Sequence, residues 1–186
     1  MQMSYISWHY KKQKGNAMSN KTKYAVTMAT VISLAGLAWT QSEEGTVLKP
    51  YYDSVKVATV GTGTTVYPNG QKVKITDPPI TKKQATEYLK FHIDKDAKIF
   101  NKTLLGVPLS QTEYDLYMDF TYQFGTGAWS QSSMLRNLKQ GKYVQACDSL
   151  LKWKYAAKRD CSVRSNNCYG VWTRQVERHT KCMGSQ

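Results

Sequence analysis

A run of residues without charge extends from Tyr24 to Ser42, directly after a cluster of lysines. Its length and its flank suit a transmembrane span whose amino terminus stays in the cytoplasm. Its composition is poor for that purpose, because small and hydroxyl-bearing residues outnumber the strongly apolar ones. Each good residue gains only ~0.3–0.6 kcal/mol on insertion, so the sum lies near the margin. The pattern therefore predicts a weak span that can enter the bilayer and also leave it.

Short β-branched runs follow at 59–63, 65–67 and 71–75. Pro68-Asn69-Gly70 separates the last two runs and predicts a hairpin turn, because Asn-Gly tolerates positive φ. These segments predict a small antiparallel sheet that carries Asp53 and Thr59.

The rest of the chain has helical periodicity. Two capping boxes, Thr81-x-x-Gln84 and Ser110-x-x-Glu113, predict helix starts. Glu113, Asp115 and Asp119 are most simply the solvated face of the second helix, which we expect to break at Gly125-Thr-Gly127. Further helices are predicted over 134–138, 143–153 and 172–181. The fold class is α+β, with a small sheet and a helical lobe.

The chain of 186 residues is 41% apolar, which suits one cored domain plus a short appendage. The net charge is +13, and the basic excess of the domain lies after residue 135. That asymmetry indicates an anionic polymer or surface as the partner. Nucleic acid, anionic lipid and bacterial wall all fit, and charge alone does not choose among them.

The four cysteines are Cys147, Cys161, Cys168 and Cys182. An even number is compatible with two disulfides in three possible connectivities, and two disulfides imply an oxidising compartment. A local disulfide could close the polar loop between Cys161 and Cys168. A zinc site would need paired CxxC motifs or several histidines near the cysteines, and the sequence has neither. No metal is therefore predicted.

Glu44, Asp53 and Thr59 carry the candidate chemistry, in the order Glu-x8-Asp-x5-Thr. Two carboxylates can cleave a glycosidic bond when one protonates the leaving oxygen and the other activates or replaces the attacking water. Glu43 is the rival acid.

This segment resembles the phage lysozyme family of the T-even type, glycoside hydrolase family 24. The resemblance covers residues 36–183, and three departures from the family pattern are Thr64, Gln123 and Gln175. The positions that match around the two acids are Gly45, Leu48, Tyr51, Gly61 and Gly63.

The resemblance implies hydrolysis of the β-1,4 bond between N-acetylmuramic acid and N-acetylglucosamine, without a metal or cofactor. Glu44 would be the general acid. It would lie at a helix end against apolar neighbours, where desolvation of its carboxyl group keeps it protonated. Asp53 would be the base or stabilise the transition state, and Thr59 would hold the water, which favours inversion. The residues expected to contact substrate are Tyr51, Gly63, Gln123 and Gly125.

The amino-terminal run is similar to that of the signal-anchor-release endolysins of lambdoid phages. The resemblance divides the chain into a basic tail (1–23), a signal-anchor-release segment (24–42) and a lysozyme domain (43–186). It also pairs Cys147 with Cys182.

A cleaved signal peptide, cut after Gly36-Leu37-Ala38, and a buried core helix are the alternative interpretations. We favour retention, because the family's first helix would run from Gly36 to Glu44 and cleavage would delete part of it. The expected protein is a monomer exported from the cytoplasm, tethered to the inner membrane and then periplasmic.

Its expected partners are peptidoglycan and, transiently through 24–42, the host inner membrane, but no nucleic acid. Two other functions compete: a lytic transglycosylase on the same fold, and a non-enzymatic cationic protein that disrupts membrane or wall.

Overall fold

The computed structural model describes residues 21–53 and 56–186. Most of the predicted basic tail, 1–23, lies outside these described residues. The helices are α1 (Leu34–Glu44), α2 (Lys82–Leu104), α3 (Gln111–Gln131), α4 (Ser133–Lys139), α5 (Tyr143–Leu150) and α6 (Tyr169–Gly184). The strands are β1 (Tyr24–Ala25), β2 (Val47–Tyr52), β3 (Ala58–Gly61), β4 (Pro108–Leu109), β5 (Tyr155–Ala156) and β6 (Arg159–Asp160). A 3₁₀ turn spans Arg164–Asn166.

Helix α3 lies at the centre of the helical lobe. It is buried on all sides along its first half, as expected of a helix surrounded by others. Near its end, the buried ring of Trp129 packs on Phe100 of α2 at 4.8 Å and on Tyr117 at 5.4 Å between centroids. Such aromatic contacts add to a large buried apolar area. They fix α2 against α3.

The small lobe is built on the antiparallel pair β2–β3, with Tyr51 opposite Thr59. The predicted strand at 59–63 is confirmed in part by β3, while 65–67 and 71–75 form only an isolated bridge, Val66 with Lys72. The predicted turn is confirmed, because the Gly70 amide donates to the Tyr67 carbonyl at 2.9 Å. Strand β2 was not predicted, since its Lys-Pro step is unusual for a strand.

Both capping boxes are confirmed at the starts of α2 and α3. The break in α3 is confirmed at Gly125, whose φ of 86° and ψ of 157° are not helical. The solvated face predicted for α3 is wrong, because Glu113, Asp115 and Asp119 are buried. Their partners come from distant parts of the chain, which helical periodicity cannot reveal.

The amino-terminal segment is folded onto the helical lobe. Helix α1 confirms the predicted first helix, but the apolar anchor helix expected over 24–42 is not observed. Residues 24–33 form β1, which pairs with β4, followed by a loop that buries Val26 and Ile32. Within 21–53 and 56–186, every helix is too short or too polar to cross a bilayer.

Both expected disulfides are present. Cys147–Cys182 joins α5 to α6, with both residues fully buried. Cys161–Cys168 closes the loop between β6 and α6. The first therefore ties two helices of the core together, whereas the second constrains a local loop.

The two disulfides should contribute unequally to stability, because a cross-link that closes a longer loop removes more entropy from the unfolded chain. Their sequence separations are 35 and 7 residues. We expect Cys147→Ala/Cys182→Ala to lower the free energy of unfolding by about 4 kcal/mol and Cys161→Ala/Cys168→Ala by about 2 kcal/mol. Urea denaturation measures both, and equal losses would contradict this ranking.

Candidate active site

Glu44 is the last residue of α1, and its position follows from how that helix begins and ends. Ser33 caps the start of α1 by accepting the Gly36 amide. Gly36 lies so close to α3 that a Cβ there would come within 2.5 Å of the Asp115 carboxyl carbon. At the other end, Gly45 has a φ of 72° and turns the chain into β2. Close contact with α3 therefore fixes the helix that carries Glu44.

The carboxylate of Glu44 is held by an arginine from α6. Arg174 Nη1 lies 2.8 Å from Glu44 Oε1, and Arg174 Nε lies 3.4 Å from Glu43 Oε2. The arginine side chain is only 8% exposed, against 29% for that of Glu44. The apolar surroundings expected for Glu44 are therefore wrong, because a guanidinium from the far end of the chain occupies them. Sequence reasoning gave Arg174 no role.

Asp53 and Thr59 are brought together at the end of the β2–β3 hairpin. Asp53 follows β2, and its Oδ1 accepts the Val57 amide at 2.8 Å. Thr59 is buried in β3, and its Oγ1 donates to the Val57 carbonyl at 3.0 Å. Both side chains thus bind the backbone of one turn residue, an arrangement that Asp favours in tight turns. This geometry orients the carboxylate and the hydroxyl relative to each other.

A cleft of about 360 Å³ lies between the end of α1, the residues after β3, and α2 and α3. Three of the residues predicted to act in catalysis or to contact substrate line it: Glu44, Gly63 and Gln123. Among the described residues, the other predicted site residues do not line this cleft. Sequence reasoning gave no site role to the remaining lining residues, which are Thr62, Thr65, His92, Asp96 and Tyr122.

Tyr122 connects the two lobes at this cleft. Its hydroxyl donates to the Thr62 carbonyl at 2.7 Å, and a Cβ on Gly63 would lie 3.5 Å from that hydroxyl oxygen. Burial, followed by the charge of Glu44, raises the pKa of Tyr122. The phenol therefore stays protonated and can act as a permanent donor to the small lobe.

The α2 wall of the cleft carries two titratable groups one helical turn apart. Burial lowers the pKa of His92, although a hydrogen bond with the Val66 backbone and the charge of Asp96 act against this. Burial also raises the pKa of Asp96. Both shifts favour the neutral form, as desolvation does for any ionisable group. This wall thus differs from the Glu44 side, where an ion pair lies.

A second arginine of α6 supports Gln123. Arg178 is fully buried, and its Nε donates to Asp119 Oδ2 at 2.8 Å. Its Nη1 donates to Gln123 Oε1 at 2.7 Å. Helix α6 therefore places one arginine at Glu44 and another behind Gln123.

The chain resembles proteins of one family. Residues 41–178 match the family model described as phage lysozyme. The endolysin of Salmonella phage P22 is 35% identical over 129 residues, which cover 68% of this chain and 86% of that protein. The SAR-endolysin of Escherichia phage 933W is 28% identical over 177 residues, covering 90% of this chain and 98% of that protein.

Solved structures show the same fold. A crystal structure of a P22 lysozyme mutant superposes with a TM-score of 0.71 at 29% identity, covering 83% of this chain and 99% of that one. The endolysin from Escherichia coli O157:H7 phage FAHEc1 gives a TM-score of 0.73 at 28% identity, covering 85% and 96%. The α+β architecture is therefore lysozyme-like.

Removing the buried ion pair of Asp119 and Arg178 should lower the free energy of unfolding strongly only when one of the two charges is left without its partner. We expect Arg178→Met to lower the free energy of unfolding by about 3–5 kcal/mol, because Asp119 stays buried without its cation. Adding Asp119→Leu should recover most of that loss. Urea denaturation measures both variants. Lys83→Met, which removes an exposed pair with Glu87, is the control and should cost under about 1 kcal/mol. A double variant as unstable as Arg178→Met would refute this reasoning.

Proposed function

Because the chain belongs to the phage lysozyme family, we propose that it is an endolysin, a muramidase that hydrolyses bacterial peptidoglycan and lyses the host at the end of phage infection. The bond cleaved is the β-1,4 bond between N-acetylmuramic acid and N-acetylglucosamine. The observation that carries this proposal is the family match over 41–178, which includes an acid on the wall of a cleft between two lobes.

Glu44 is proposed as the general acid. Arg174 binds its Oε1, so the other oxygen, Oε2, can carry the proton to the glycosidic oxygen. The arginine also limits rotation of the carboxyl group, which keeps the acid at the wall of the cleft. General acids of this kind typically contribute about 100- to 10,000-fold to the rate.

Asp53 is proposed as the base and Thr59 as the residue that seats the attacking water. The Thr59 hydroxyl donates its hydrogen bond to the Val57 carbonyl, so its lone pairs are left to accept a hydrogen bond from water. One hydrogen of that water would bond to Thr59, and Asp53, held by the Val57 amide, would take the other as the water attacks. A water between a carboxylate and the sugar gives inversion at the anomeric carbon.

The proposed substrate contacts divide into two groups. Gly63 and Gln123 lie on the wall of the cleft with Glu44. Tyr51 is the strand partner of Thr59, and Gly125 turns the chain just after Gln123. A glycan that passes from the cleft along the hairpin would meet both groups.

Two other functions account for fewer features of the site. A lytic transglycosylase needs no water, which leaves the pairing of Asp53 and Thr59 through Val57 without a purpose. A charge-driven membrane disruptor would need neither the cleft nor the ion pair at Glu44.

The first test is the activity of Glu44→Gln on purified peptidoglycan, with the released muropeptides identified by mass spectrometry. We expect the wild-type protein to release reducing N-acetylmuramic acid ends and the variant to lose at least about 100-fold in rate. Glu43→Gln, the neighbouring acid on the same arginine, is the matched control and should stay active. Anhydro ends would indicate a transglycosylase, and lysis by Glu44→Gln would indicate a membrane disruptor.

We also propose that residues 24–42 tether the exported enzyme to the inner membrane before it is released into the periplasm, with the basic tail 1–23 in the cytoplasm. The relatives named SAR-endolysins support this, as does the weak apolarity of the segment. In the bilayer these residues could not hold α1 against the domain, so Glu44 would be displaced. The released protein is proposed to act as a monomer.

The folded position of this segment is specified by side chains of α2 and α3. Asp115 accepts the Ser33 amide at 2.9 Å and also binds the Ser33 hydroxyl. Asn101 Nδ2 and the Tyr114 hydroxyl both donate to the Thr30 carbonyl, at 2.8 and 3.0 Å. These contacts give the segment a defined place on the domain once it leaves the bilayer, which supports the proposal.

Strengthening the span without touching its docked contacts should separate tethering from catalysis. Ala29, Ala35 and Ala38 are exposed in the folded protein. Changing all three to leucine makes insertion more favourable by about 1–2 kcal/mol. We expect the triple variant to remain in the membrane fraction and to delay lysis, while its purified form cuts peptidoglycan at the wild-type rate. Unchanged fractionation and lysis would argue against the tether.

A further inference from the structure

We propose that Arg178 is a positioning residue that fixes the side-chain amide of Gln123, so that Gln123 Nε2 donates a hydrogen bond to an acceptor oxygen of the glycan. This inference rests on the muramidase function proposed above. It assigns a role to the buried pair of Asp119 on α3 and Arg178 on α6, which that function did not use.

The guanidinium of Arg178 has little freedom to move. Its Nε and Nη2 both bind Asp119 Oδ2, and Nη2 also lies 3.3 Å from the Asp119 carbonyl oxygen. The rings of Phe120 and Phe124 have their centroids 5.8 and 6.0 Å from its central carbon. Arg178 and Asp119 are both fully buried. The plane of the guanidinium, and with it the direction of the remaining nitrogen, is therefore fixed.

That remaining nitrogen decides which way the Gln123 amide points. Arginine carries only donors, so the atom that Nη1 meets at 2.7 Å must be the amide oxygen of Gln123. The reversed amide would place two donors against each other. Arg178 therefore selects one of the two amide orientations and directs Nε2 away from itself.

The selected orientation gives the cleft a donor. Gln123 lines the cleft together with Glu44, and its Nε2 has no hydrogen-bond partner among the described residues. An NH₂ group can only donate. Its ligand must therefore offer an oxygen acceptor, such as the carbonyl of an N-acetyl group or a sugar hydroxyl. An acetamido carbonyl is the better fit, because it is an acceptor that cannot rotate into a donor.

Stability alone does not explain why the buried pair is present. A buried ion pair is often no more stabilising than apolar residues of the same volume, because both charges lose their hydration. The pair between Asp119 and Arg178 lies directly behind a cleft residue and makes a third, directed bond to it. Positioning of Gln123 accounts for this placement.

Two variants and one control test the proposal in the full-length protein. Gln123→Glu keeps an oxygen for Arg178 but replaces the donor Nε2 by a second acceptor. Asp119→Leu/Arg178→Met keeps an apolar filling behind Gln123 but frees its amide to adopt both orientations. Glu177→Gln removes an exposed charge next to Arg178 and should change nothing. The readouts are kcat and KM on peptidoglycan, and the ¹⁵N shift of the Gln123 side chain on titration with tri-N-acetylchitotriose.

We expect Gln123→Glu to lose about 100-fold in kcat/KM, because a donor to the reacting sugar becomes an acceptor. The Asp119→Leu/Arg178→Met variant should lose about tenfold, since one neutral hydrogen bond is no longer fixed. In the wild type the trisaccharide should shift the Gln123 Nε2 resonance, and in this double variant that shift should shrink. A change in activity without a change in this shift would indicate a merely structural role and overturn the proposal.

Wild-type kinetics in either variant would overturn the proposal as well. If the double variant does not fold, Arg178→Lys takes its place, because lysine keeps a cation for Asp119 but has a single nitrogen. We expect Arg178→Lys to have a lower kcat/KM and a smaller Gln123 Nε2 shift with the trisaccharide, as for the double variant. Loss of lysis in Glu44→Gln alongside a fully active Gln123→Glu would leave the muramidase standing and remove only this inference. An active Glu44→Gln would instead remove the proposed function itself.

Discussion

Three buried carboxylates on α3 dictate how the distant parts of this chain meet. Charged groups are expensive to bury unless they are paired and hydrogen-bonded, so each of them requires a partner. Glu113 pairs with Lys23 at 2.7 Å, Asp115 binds Ser33, and Asp119 pairs with Arg178. The partners come from the amino-terminal segment and from α6, near the other end of the sequence. Helix α3 therefore binds both of these segments.

The candidate site is a consequence of this arrangement. Asp115 fixes the start of α1, and α1 then delivers Glu44 at its other end. Asp119 fixes α6 through Arg178, and the same helix delivers Arg174 to the Glu44 carboxylate. The acid and its arginine thus meet because both of their helices are docked on α3. The disulfide Cys147–Cys182 adds a covalent tie to α6.

Local signals in the sequence predicted the local structure correctly. Both capping boxes, the Asn-Gly turn and the break at Gly125 depend on residues a few positions apart, so their physics can be read directly from the sequence. The predictions for the surroundings of Glu113 and Glu44 were wrong, because both depend on partners far away in the chain. Glu113 looked like a solvated residue because the lysine that neutralises it lies 90 positions earlier. Glu44 was expected in apolar surroundings because nothing near it in the sequence announces Arg174.

The poor apolarity of residues 24–42 has an explanation in the folded protein. Ser33 must offer a hydroxyl and an amide to Asp115, and Gly36 leaves no room for any side chain against that carboxylate. Larger aliphatic residues at these positions would improve membrane insertion and destroy the docking of α1. If the segment also tethers the enzyme to the membrane, its sequence is a compromise between two environments. The contacts that place Glu44 would then be the same ones that keep the span weak enough to leave the bilayer.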